Sequence, residues 1–310
     1  MRTHNRRTNG DGRDLVDAVR SGNLDEVKRL LGAGASEHFM DEAHKMALMV
    51  ASEEGLTEVV ELLIDERLGF NGGGEHGSMA LIKASLWGQA RVVRLLLERG
   101  ASVNAKEPLL RATALIFASL AGHLEIAEEL LAHGADIEAR DKDGRTALLE
   151  ACFAGHPELV KMLLNRGADV NAENKYGTTP LIAASLMGDA DIVKLLLEKG
   201  AKVNAKNKYG KTPLLEASLS GCSKTVGALL DRGATISAAD NDGKTALIVA
   251  AAAGHQYVAR LLLAWGGDAR AQDKAGHTAM TAAAQFGRTD VVKLLLAESE
   301  PKSLERETAA

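Results

Sequence analysis

The chain has 310 residues, a formal net charge of -5, and 46% hydrophobic but only 3% aromatic content, so it has no whole-chain basic footprint for nucleic acid. No apolar run reaches the roughly 18 residues of a membrane span, and the start, MRTHNRRTNGDGRD, lacks the apolar core of a secretory signal. Its two cysteines, Cys152 and Cys222, fall on different kinds of position, which predicts reduced intracellular thiols rather than a disulfide or metal site.

Residues 1–11 read as a disordered tail, although their arginines before any acid also have the composition of a transit peptide. A repetitive array is expected over residues 12–298. It opens with a degenerate unit in which Leu15, Val16, Ala18 and Val19 face a core while Asp14, Asp17 and Arg20 face water, as a terminal cap requires. The link at 36–45 lacks glycine, and its Phe39 and Met40 are expected to pack back on the cap. After the second unit comes a glycine-rich link from Gly69 to Gly77, read as a flexible fingertip. It lacks the Lys-Ser/Thr and the preceding strand that a phosphate loop needs. The Gly-Lys-Thr triplets at 210–212 and 243–245 are helix starts, because a phosphate loop would need glycine at 205 and 238, where alanine stands. One extra residue precedes the fourth unit, beside an apolar tip of Pro108, Leu109 and Leu110 that fits either partner contact or local packing. The ninth unit runs into a polar C-terminal tail over 299–310.

The unit is clearest in DKDGRTALLEACFAGHPELVKMLLNRGADVNA, residues 141–172. A periodic glycine recurs at 22, 55, 88, 122, 155, 188, 221, 254 and 287, in steps of 33 apart from one of 34. Thr146 is a good N-cap, and in two copies Pro follows the threonine (Pro180, Pro213), at a position where helices tolerate it. A short first helix therefore opens at each threonine and ends at the periodic glycine. A second starts at Pro157, places Leu159, Val160, Leu163 and Leu164 at helical spacing, and ends at Gly167. With Gly-x-Thr-(Ala/Pro)-Leu at 144–148, 177–181, 210–214 and 243–247, the chain resembles the ankyrin-repeat family over nearly its whole length. The resemblance implies an all-α solenoid of stacked helix-turn-helix units joined by β-hairpin-like loops. The histidine that the family usually carries after Thr-Pro-Leu is here Met49, Ile82, Ile116, Leu149, Ile182, Leu215, Ile248 or Thr281, which predicts an apolar ladder between units.

The resemblance also implies non-enzymatic protein recognition along a concave groove, with no cofactor. The two positions before each periodic glycine usually face that groove. They read Leu86-Trp87, Leu120-Ala121, Phe153-Ala154, Leu186-Met187 and Leu219-Ser220 through units three to seven, an apolar stripe that marks a protein-binding surface. The alternative is that the leucines are ordinary core. Fingertips beside it carry Lys142, Arg145, Lys175, Tyr176, Lys208, Tyr209, Lys211 and Lys244, and Glu150 and Glu216 read as groove-facing acids. Such tips suit a partner segment that is acidic and amphipathic. The expected protein is a monomeric cytoplasmic adaptor or scaffold, with the nucleus as second compartment; the competing role is a regulatory subunit or inhibitor that occludes a partner enzyme's active site. His123, His156 and His255 follow periodic glycines and read as structural. Asn104, Asn171 and Asn204 resemble asparagines hydroxylated in some ankyrin proteins, and the plainer reading is that they stabilise turns.

Overall fold

The computed structural model describes residues 8–32, 37–65 and 74–299. They form helices in pairs: α1 (Thr8–Arg20) and α2 (Leu24–Gly32), α3 (Glu37–Glu54) and α4 (Thr57–Asp65), α5 (Glu75–Leu86) and α6 (Ala90–Glu98), α7 (Ala114–Ala121) and α8 (Leu124–Ala132), α9 (Ala147–Ala154) and α10 (Pro157–Asn165). The series continues with α11 (Pro180–Met187) and α12 (Ala190–Glu198), α13 (Pro213–Ser220) and α14 (Ser223–Asp231), α15 (Ala246–Ala253) and α16 (Gln256–Ala264), α17 (Ala279–Gln285) and α18 (Thr289–Ser299). Among the described residues there is no β-strand, only one isolated bridge, between Ala239 and Thr245. The fold is an all-α repeat solenoid.

The elements end where the sequence places its stops. Thr146 Oγ1 accepts from the Leu149 N–H at 3.3 Å, and Thr113, Thr179, Thr212, Thr245 and Thr278 cap their helices in the same way. The periodic glycine has two reasons to be glycine. Gly122 ends α7 in the left-handed conformation at φ 80, and a Cβ there would meet the His156 ring at 2.6 Å. First helices are buried almost all round, whereas second helices bury one stripe, such as Leu159, Val160, Leu163 and Leu164 in α10. The apolar ladder is present: Ile82, Ile116, Leu149, Ile182, Leu215 and Ile248 are all buried. Thr281 differs, joining Thr278 in a capping box on the exposed last unit.

Several boundaries differ from expectation. Helix α1 begins at Thr8, so residues 8–11 belong to the array rather than to a tail; residues 1–7 lie outside the described residues. From Glu37 on, the link expected at 36–45 is instead the first half of α3, an 18-residue helix with no glycine or proline to interrupt it, while Ser36 and the side chains of Phe39 and Met40 lie outside the described residues. Of the glycine-rich link, Glu75 to Gly77 open α5, while 66–73 lie outside the described residues. Helix α18 takes in Ser299, and residues 300–310 are not described. The sequence reads as one array, but the helices gather into two compact units, one up to Ala168 and one from Asp169. In the first, α1, α3, α5, α7 and α9 pack side by side, as do α2, α4, α6, α8 and α10. The second repeats this with α11, α13, α15 and α17 against α12, α14, α16 and α18.

Candidate functional site

The two positions before each periodic glycine lie at the last turn of a first helix, where the left-handed glycine turns the chain away and leaves side chains uncovered. In the first unit, Trp87 is 55% exposed and Leu120 43%, while Leu86 and Phe153 are half-buried. In the second, Met187 is 55% exposed, with Leu186 and Leu219 also exposed. The core alternative therefore does not hold for Leu120, Leu186 and Leu219.

The backbone of this stripe is held by the residue after the next periodic glycine. The Nε2–H of His123 donates to the Leu86 carbonyl at 3.2 Å, His156 to Leu120 at 3.2 Å, and His255 to Leu219 at 2.9 Å. Gln89 Nε2 does the same to the Glu53 carbonyl at 3.0 Å, and Arg288 Nε to the Ala252 carbonyl at 3.1 Å. A carbonyl only accepts, so each ring carries its proton on Nε2. Asp189 occupies the same position but cannot donate as a carboxylate; it caps its own helix, accepting from the Asp191 and Ile192 N–H groups.

The fingertips are closed by one repeated device. Asp141 Oδ1 accepts from the N–H groups of Asp143 and Arg145, each at 2.8 Å. Asn174, Asn207, Asp240 and Asp273 make the same pair of bonds at intervals of 33 residues. Neighbouring tips then join, the Lys208 N–H donating to the Tyr176 carbonyl at 2.9 Å and the Asn241 N–H to the Tyr209 carbonyl at 3.0 Å. Lys208 Nζ lies 3.9 Å from the Tyr176 ring centre and 5.0 Å from that of Tyr209. Asn104, Asn171 and Asn204 work below the tips: Asn204 Nδ2 donates to the Gly233 carbonyl at 3.2 Å, and its Oδ1 accepts from the Thr235 N–H at 2.8 Å. Asn104 and Asn171 repeat the two-way clamp, so the turn-stabilising reading describes all three.

Two expected groove-facing acids are not in the groove. Glu150 and Glu216 are buried, each beneath the base five residues before it: Arg145 Nη1 lies 3.0 Å from Glu150 Oε1, and Lys211 Nζ 3.3 Å from Glu216 Oε1. Burial drives a carboxylate to find a cation. The same contact, with charge from Asp141 and Asp143, keeps the Arg145 guanidinium pKa above its usual value although burial opposes this. Arg145 also lies 5.5 Å from the Phe153 ring centre. Arg145 and Lys211 are thus engaged with buried acids, whereas Lys142, Lys175 and Lys208 stay exposed.

Two features escaped the sequence reading. An open cleft of about 590 Å³ in the second unit is lined by Leu219, Val249, Ala252 and the 57% exposed Phe286, which extends the apolar surface from the seventh repeat to the ninth. The other is the link at 200–211, which carries Lys202, Lys206, Lys208 and Lys211 with no aspartate or glutamate. Counting charge link by link would have found it.

A family model of ankyrin repeats, three copies per match, aligns to residues 15–107, 108–174, 167–240 and 235–305. No curated protein matches the chain in a sequence search. With that match over nearly the whole chain, and with threonine caps from Thr113 on and left-handed periodic glycines among the described residues, the chain belongs to the ankyrin-repeat family.

Proposed function

We propose that the chain is a protein-binding adaptor that, within each compact unit, receives a partner segment on the ends of its first helices and the fingertips. Ankyrin repeats are in general protein-interaction modules, and among the described residues no helix is long and apolar enough to cross a membrane. The observation that carries the reading is the exposure of Trp87, Leu120, Leu186, Met187 and Leu219 at the two positions before the periodic glycine, with the Leu86, Leu120 and Leu219 carbonyls held by interrepeat hydrogen bonds. Large apolar side chains on a rigid support lose little entropy on binding, and Trp is a favoured anchor. The exposed bases Lys142, Lys175 and Lys208 would steer an acidic, amphipathic segment onto this face, with Tyr176 and Tyr209 beside it.

Crosslinking mass spectrometry in native extract identifies the partner and the contacted helices together. Crosslinks are expected on the fingertips and the ends of α5, α7, α11 and α13. With the purified partner, Trp87→Ala and Met187→Ala should each weaken binding by about 2 kcal/mol, the usual loss at a central anchor, with helical content unchanged by circular dichroism. Crosslinks confined to the second helices, or unaltered affinity of both variants, would remove the groove reading.

A further inference from the structure

We infer that the finger at 200–211 is an anion-recognition site for clustered carboxylates on a peptide, and that it carries the acid preference of the proposed partner surface. Resting on the reading of a protein-binding face, this finger is the one among several that meets the partner's charge.

Three observations support it. The finger holds four lysines and no acid, and with Lys211 paired to buried Glu216 it presents Lys202, Lys206 and Lys208, while the links on either side carry Asp169 and Glu173, and Asp240 and Asp242. Its turn is closed by Asn207, which makes the two backbone hydrogen bonds that aspartate makes at 141, 240 and 273. A neutral residue thus does a carboxylate's structural work between Lys206 and Lys208 in the chain, as Asn174 does in the preceding finger. Finally, the tip is built before any ligand arrives. Lys208 Nζ is placed over Tyr176, the Lys208 N–H donates to the Tyr176 carbonyl, and Asn241 Nδ2 donates to the Lys208 carbonyl at 2.9 Å. Lys206 Nζ is steadied by the Ala239 carbonyl at 3.1 Å. A lysine already positioned loses less freedom when it meets an anion.

The flanking acids decide between macromolecules. A nucleic-acid strand tracking over several fingers would bring its phosphates against Glu173, Asp240 and Asp242, and the chain as a whole is negative. A short run of glutamates or aspartates fits one finger and leaves the neighbours to apolar side chains.

The test uses the full chain and a fluorescein-labelled ten-residue peptide alternating glutamate and leucine, its glutamine analogue, and labelled oligothymidine, read by anisotropy at low and high salt. The glutamate peptide should bind at least several-fold tighter than the glutamine analogue, and the preference should shrink with salt. Lys208→Glu should weaken it roughly tenfold. Asn207→Asp should weaken it several-fold while the melting temperature holds, since aspartate closes the same turn in three sister fingers; a purely structural role for Asn207 predicts no change. Equal binding of the two peptides, indifference to both variants, or tighter binding of oligothymidine would overturn the inference. A partner whose capture needs Trp87 and Met187 but ignores both finger variants would overturn it and leave the groove standing.

Discussion

Arg111 has a φ of 60, where every other positive-φ residue among those described is glycine, including Gly144 at the same point of the next finger. A side chain in that region costs about 1–2 kcal/mol, and the loop around it explains how the conformation is imposed. This is the finger with the extra residue. Glu107, one methylene longer than aspartate, closes the longer turn by accepting from the N–H groups of Leu109 at 3.0 Å and Leu110 at 2.5 Å. Its own N–H donates to the Ala112 carbonyl at 2.9 Å. Leu109 is left 74% exposed, so of the two readings of this apolar tip local packing is the one the structure removes. The sequence could not separate them, because exposure depends on which backbone groups the glutamate binds. Arg111→Gly should raise the unfolding free energy by about 0.5–1 kcal/mol in urea titrations, the strain relieved less the added freedom of glycine in the unfolded chain. A loss of stability would show instead that the Arg111 side chain holds the loop.

Within an element, one turn device accepts either Asp or Asn, and the choice sets local charge without altering the bonds. Asp273 shows the consequence for pH. Its carboxylate accepts backbone hydrogen bonds from His277 and Ala275 and lies 3.2 Å from His277 Nδ1. The His277 N–H, above the other contacts, holds its pKa below the ordinary 3.8 despite desolvation. A group depressed on folding contributes stability above its unfolded pKa and loses it as pH falls through the folded value. Asp273→Asn should therefore keep the turn, as Asn174 and Asn207 do, and flatten the acid limb of the melting curve between about pH 5 and pH 2. An acid limb identical to that of the parent would rule out Asp273 as a contributor. Caps and left-handed glycines were legible because each acts within a few positions of itself, whereas Asn104, Asn171 and Asn204 read as turn residues without their clamps to the next repeat, about 30 residues on. The pairing of Arg145 with Glu150 was not legible either, since it takes a buried position and a base reaching down from the tip, and sequence showed only two charged residues five apart.

At the scale of the whole chain, the period of 33 residues continues unchanged past Ala168 and Asp169, so the division into two units leaves no mark in the repeat. What the period does imply, inside each unit, is a nearest-neighbour economy of contacts. Helix α14 touches α12, α13 and α16, whereas α18 rests on α16 and α17. Leu229 of α14 is fully buried, and truncating such a leucine costs about 3 kcal/mol through lost transfer energy and the cavity left behind. If each repeat leans only on its neighbours, Leu229→Ala should cut hydrogen-exchange protection most in α12, α13, α14 and α16 and least in α18. Mass spectrometry of peptides after timed exchange resolves these helices. Equal loss over the whole unit from Asp169 would mean that its repeats open as one body, and that the bonds between fingertips and across the periodic glycines couple them beyond their immediate contacts.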